Sequence, residues 1–138
     1  MPTATGELSY ELHTGRELDL MKSGNKPLAY FYHDADSLPE EESVPENEFD
    51  IYVQNGLLSK GEEMLQGAIH PLTGRPVRTR YVLYSLRREE WRINAMKLVL
   101  QTMIRTKRRP DEGLDRLVGS LLGYTNEQND EYIASGRY

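Results

Sequence analysis

The segment RREEWRINAMKLVLQTMIRTKRRP, residues 87–110, constrains the fold more than any other part of the chain. On a helical wheel, Glu90, Asn94, Lys97, Gln101, Arg105 and Arg108 align as one narrow polar stripe. Trp91, Ala95 and Leu98 flank it on one side, while Ile93, Met96, Leu100, Met103 and Ile104 fill much of the remaining circumference. An apolar arc that wide needs cover from more than one direction. The segment therefore reads as the central helix of a core, or of a core plus a subunit interface.

The charges at its ends have a plain origin. Glu89 and Glu90 fall at the expected start, and Arg105, Lys107, Arg108 and Arg109 at or just past the end, which matches the helix macrodipole. Pro110 forbids continuation. A helix that reads a nucleic-acid groove needs several basic or amide side chains near its entry point. Here the entry is acidic, and Lys97 stands about 12 Å along the axis from Arg105 at ~1.5 Å per residue. Nucleic-acid recognition by this helix is disfavoured.

The rest of the chain supplies a sheet and shorter helices. Thr14 and Glu17 form a capping box for a short helix that Gly24 ends. PLAYFYH reads as a strand with Leu28, Tyr30 and Tyr32 on one face and Ala29, Phe31 and His33 on the other. Ser43 and Glu46 make a second capping box, starting a helix near Pro45 that buries Phe49, Tyr52 and Val53 and stops at Gly56. Residues 57–65 and 78–86 read as strands, the first weakened by Gly61, with a long turn-rich connection between them. Leu114, Leu117, Val118, Leu121 and Leu122 form one helical stripe. Thr125 and Gln128 then cap a last helix carrying Tyr132 and Ile133. The expected fold is a single α+β domain over residues 1–138: a small, mostly antiparallel sheet of about three strands, packed on a long central helix, with a C-terminal helical hairpin.

At 138 residues such a chain buries roughly two-thirds of its unfolded surface. It has no cysteine, which removes disulfides, thiolate metal sites and cysteine nucleophiles and fits a reducing compartment. The N-terminal residues lack the pattern of a secretory signal, and no apolar run is long enough to span a bilayer. A soluble cytoplasmic protein that does not engage membranes is expected.

The net charge of −5 conceals a segregation. Residues 34–50 carry eight acids and no base, whereas residues 75–109 carry eleven Lys and Arg against Glu89 and Glu90. Asp34, Asp36, Glu40, Glu41 and Glu42, with Tyr30 and Tyr32 on the adjoining strand, are the candidate partner-binding residues. Arg75, Arg78, Arg80 and Arg87 are the candidate anion-binding set. The structural alternatives are a strand edge blunted by charge, or arginines that face the acids of residues 34–50 within the chain or across a dimer.

Catalytic materials are thin. His13, His33 and His70 are scattered and belong to no metal or nucleophile motif. Asp34 and Asp36 lack the glycine and terminal glutamate of a calcium loop, and His33, Asp34 and Asp36 would ligate a divalent metal only with a further, distant ligand, which is weak evidence for a site. Neither a metal nor a cofactor is called for. The leading expectation is a non-enzymatic interaction or regulatory protein that binds another macromolecule through separated acidic and basic surfaces, with homodimerisation. The alternatives are a small enzyme with a His/Arg pocket on the sheet, and nucleic-acid or nucleotide binding through Arg75–Arg87.

Overall fold

The computed structural model describes residues 16–36, 44–107 and 111–134. In chain order the elements are α1 (Glu17–Lys22), β1 (Leu28–Asp34), α2 (Glu46–Gln54), β2 (Leu58–Ile69), β3 (Pro76–Leu86), a 3-10 turn (Arg87–Glu89), α3 (Trp91–Arg105), α4 (Glu112–Leu121) and α5 (Asn126–Ala134). The three strands form an antiparallel sheet in the order β1-β3-β2. This is the α+β fold the sequence leads one to expect.

The central strand explains itself. Tyr81 through Leu86 are buried without a break, because β3 is covered on both faces. A strand so placed reads as a continuous apolar run and not as an alternation. Leu28, Tyr81 and Leu83 pack on one face against Ile93, Met96, Val99 and Leu100 of α3 and Leu121 of α4. Ala29, Val82, Tyr84 and Leu86 pack on the other against Met21 of α1 and Phe49 of α2. There the Phe49 ring stacks on Tyr84 at 4.7 Å and meets Phe31 edge-on at 5.2 Å. The arrangement is three layers, with α1 and α2 below the sheet and α3 with the α4–α5 hairpin above it.

Three features differ from the sequence reading. The β2–β3 hairpin is longer than expected, since both strands run on to Ile69 and Pro76 and leave only residues 70–75 as the turn. Gly61 does not weaken β2. It lies where α3 crosses the strand, and a Cβ there would fall 2.5 Å from Ile93 Cγ2 and 3.4 Å from Lys97 Cε. The absence of a side chain lets helix and sheet approach.

The third difference concerns α3. Ile93, Met96, Val99 and Leu100 are buried, but Trp91 is 57% and Leu98 is 64% exposed. The polar stripe, in turn, is not simply a water-facing seam. Gln101 donates to Glu63 of β2 at 2.9 Å, and Lys97 lies against Gly61. β2 thus supplies partners to the polar stripe, while the Trp91–Leu98 flank is left open. Glu89 and Glu90 also precede the helix instead of forming its first turn.

At the C-terminal hairpin, Asp111 caps α4 by accepting from the Leu114 amide at 3.1 Å. Thr125 and Gln128 complete the expected capping box: the Thr125 amide donates to Gln128 Oε1 at 2.8 Å and the Gln128 amide to Thr125 Oγ1 at 3.2 Å. Gly119 permits the close approach of α4 and α5, since a Cβ there would collide with the Asn129 amide. The capping boxes expected at Thr14 and Ser43 lie outside the described residues.

Candidate functional site

The segregated charges meet across the lower face of the sheet. Arg78 and Arg80 alternate with Thr79 on β3 and so project to the same side, toward α2. Arg80 donates to Glu46 at 2.5 and 3.1 Å and to Glu62 of β2 at 2.5 Å. Lys60 reaches Glu46 at 2.9 Å and the Asp50 carboxylate at 3.1 Å. The Tyr84 hydroxyl donates to Asp50 at 2.8 Å. Farther out, Arg78 holds Asp36 at 2.6 Å.

The electrostatics follow from this geometry. The Arg80 hydrogen bond, aided by Lys60, holds the Glu46 carboxyl down at about 2. The Arg80 guanidinium is correspondingly held above its ordinary value, chiefly by Glu46. Burial pushes the Tyr84 hydroxyl up, and its bond to Asp50 adds to that shift. Asp36 is lowered by its hydrogen bond from Arg78. These acids and bases satisfy one another within the chain, one of the alternatives open from the sequence.

The remaining candidates are dispersed. Arg75 is exposed at the hairpin turn and Arg87 is exposed beyond the other end of β3, an 11-residue strand that spans roughly 35 Å at ~3.3 Å per residue. The four arginines thus do not converge on one anion. Asp34 ends β1, and its carboxylate accepts from the Asp36 amide at 2.9 Å. Glu40, Glu41, Glu42 and His13 lie outside the described residues. His70 Nδ1 accepts from the Leu72 amide at 3.1 Å within the hairpin turn, and His33 stands opposite Arg80 in the β1–β3 register. Among the described residues no group of three or more His, Asp or Glu is placed to hold a metal ion. Among the same residues no helix is long and apolar enough to cross a membrane.

Tyr30 and Tyr32 part company. Tyr30 stacks on Tyr81 at 6.4 Å and Tyr32 lies tilted against it at 5.7 Å, but Tyr32 is 59% exposed while burial pushes the Tyr30 hydroxyl up to about 12. Of the two, Tyr32 is the more exposed.

The most exposed aromatic of the upper layer is Trp91, and it is held in place. Its indole N–H donates to Glu89 at 3.1 Å, and the Arg92 guanidinium stacks 4.8 Å from the ring centre. Arg92 also donates to Glu89 at 2.9 Å and to the Ser120 and Leu121 carbonyls at 3.0 and 3.1 Å. It thereby ties the start of α3 to the end of α4 through carbonyls of the last turn, of which that of Ser120 also accepts from the Gly123 amide. Leu98 continues the exposed flank two turns along α3, and the 44%-exposed Leu117 lies one turn before the carbonyls that Arg92 grips. The result is an exposed seam on α3 with Trp91 and Leu98 at its ends and the exposed Asn94 between them; Leu117 is exposed on α4. Sequence reasoning named Trp91 and Leu98 but left open whether their arc belonged to the core alone or to the core plus a subunit interface. The available signal was the position of Trp91 and Leu98 beside the polar stripe, seven residues apart on one flank.

Compared with known proteins, the chain matches no family, no curated protein and no solved structure.

Proposed function

We propose that the protein is a non-enzymatic interaction protein that binds another protein, and that it docks through the exposed α3 seam of Trp91 and Leu98. The observation that carries this reading is Trp91 itself: a large, 57%-exposed aromatic, pinned by Glu89 and stacked on Arg92 before any partner arrives. Trp and Arg dominate binding energy at protein interfaces, and an anchor already in place costs little to order. The acidic and basic segments make a weaker docking surface, because Arg78 and Arg80 are engaged by Asp36, Glu46 and Glu62. The same pairing argues against Arg78 and Arg80 as the anion clamp of an enzyme or as a nucleic-acid contact. A cytoplasmic setting accords with a sequence free of cysteine.

A second copy of the chain presents the same seam, so homodimerisation is the association available to the chain alone. Sedimentation velocity across the micromolar range tests it, at low and high salt, for the wild type and Leu98→Asp. The reading expects a dimer that high salt does not dissociate, because apolar contacts are not screened, and a monomeric variant. A wild type that stays monomeric throughout, or a dimer that salt disperses, removes the seam as a self-docking surface.

A further inference from the structure

Between β1, α4 and α5 lies a cavity of about 250 Å³ lined by Tyr30, Asp115, Tyr124, Asn129 and Tyr132, among others. It is on a different part of the molecule from the charge network and shares none of its residues. Asp115 is a partly buried residue of that lining, and its Oδ2, shut off from solvent, has no hydrogen-bond partner among the described residues. A buried carboxylate oxygen without a donor is costly, and a native fold retains one where something else satisfies it. Burial, together with the neighbouring charges of Asp111 and Glu112, raises the Asp115 pKa. Those neighbours make the local potential more negative still. Arg116, the nearest base in sequence, is turned away onto Asp130 at 2.7 Å.

The other walls suit the same kind of occupant. Three phenol rings line one small space, and the faces of such rings attract cations. One of them is already used in that way, for the Lys26 ammonium stands 5.3 Å over the centre of the Tyr124 ring while donating to the Leu122 carbonyl. Aromatic side chains beside a partly buried carboxylate are the chemistry that recognises an alkylated ammonium. The volume is sufficient, since a cavity of roughly 150 Å³ accepts benzene and a trimethylammonium head is of similar bulk. From the cavity, its three tyrosines and the unpartnered Asp115 oxygen, we infer that this site binds an organic ammonium cation, held by Asp115 and the rings of Tyr30, Tyr124 and Tyr132. Such a group arrives either on a free small molecule or on a methylated lysine side chain of a protein.

Calorimetric titration of the full chain separates these possibilities. The probes are choline, its neutral isostere in which tert-butyl replaces trimethylammonium, and a short peptide carrying one trimethylated lysine. Saturable binding of choline or the peptide, with at least about tenfold discrimination against the neutral isostere, is the expected result. The tighter of the two cations identifies the source. Asp115→Asn, which keeps the shape, should weaken the cation by about tenfold or more and leave the isostere unaffected. Tyr132→Leu should weaken it as well, while Tyr30→Phe, which keeps the ring, should not. Failure of both cations to bind at millimolar concentration overturns the inference, as does equal binding of the isostere or an unchanged affinity in Asp115→Asn. The comparison of choline with its isostere needs no substitution, so it decides the matter even where a variant does not fold.

Discussion

Replacing Lys26 by methionine should abolish a rise in stability with pH that few folded chains possess. Lys26 is 2% exposed, its ammonium buried against the last carbonyls of α4 and the Tyr124 ring. Burial pulls its pKa from 10.5 down to about 8. Below about pH 8 both the folded and unfolded chains carry the proton, and the folded chain bears the cost of a desolvated charge. Between about pH 8 and 10.5 only the unfolded chain holds it, so stability increases as pH rises through that window. A shift of two and a half units corresponds to a penalty of about 3 kcal/mol at neutral pH, of which about 2 kcal/mol is relieved between pH 7 and about 9.5. Urea denaturation at the two pH values, on the wild type and Lys26→Met, reads the difference directly. The upper limit is set by Tyr30, which burial pushes up to about 12, together with Tyr84, which burial and Asp50 also push up; both subtract stability once unfolded tyrosines ionise near 10. A wild type whose stability is flat or falls over this range, or a Lys26→Met variant with the same rise, would refute the reasoning.

Other substitutions probe the remaining layers. Gly61→Ala puts a methyl group 2.5 Å from Ile93 Cγ2; it should lower stability by about 1–3 kcal/mol and the thermal midpoint by roughly 3 °C per kcal/mol, and an unchanged midpoint would mean that α3 does not press on β2 here. Arg80→Ala and Arg78→Ala should differ, because Arg80 is 21% exposed and shared between two carboxylates whereas the Arg78–Asp36 pair is 45% and 59% exposed. Chemical denaturation should show a loss of about 2 kcal/mol or more for the first and less than about 1 kcal/mol for the second, and equal effects would contradict the placement of the network. Glu46, held at about 2 by Arg80 and Lys60, contributes stability in full above the unfolded value near 4.5 and loses it as pH falls toward 2. Glu46→Gln should therefore flatten the acid limb of the stability profile, and an unaltered limb would assign acid unfolding to other groups.

Much of the fold was legible because local signals agreed with one another. The alternation in PLAYFYH placed Tyr30 and Tyr32 on one face of β1, as observed, since sheets permit no other period. The Thr125–Gln128 capping box is realised because both partners lie within one turn of backbone. What sequence could not settle is which surfaces oppose which. Gly61 looked like a flaw in a strand until α3 crossed it. The acids near residue 46 and the arginines near residue 80 looked like two faces awaiting partners, and only the β1-β3-β2 order brings Glu46, Glu62 and Arg80 together. A helical wheel could not decide between core alone and core plus interface for the arc on α3, because it shows neither Glu63 of β2, which accepts from Gln101, nor which flank the sheet covers. Asp115 gave no signal at all: an acid in the first turn of an amphipathic helix is what the helix dipole favours, and its burial beside three tyrosines depends on where α5 and β1 sit.

Trp91 is the single tryptophan of the chain, so its fluorescence reports on the docking surface without interference. The decisive measurement is iodide quenching and emission maximum as a function of protein concentration. At nanomolar concentration the ring should emit at long wavelength and quench freely. As the chain associates, or when a protein partner is added, emission should move to the blue and quenching should fall, with Leu98→Asp showing neither change. A tryptophan that remains equally quenchable while association proceeds would place the interface elsewhere and contradict the account.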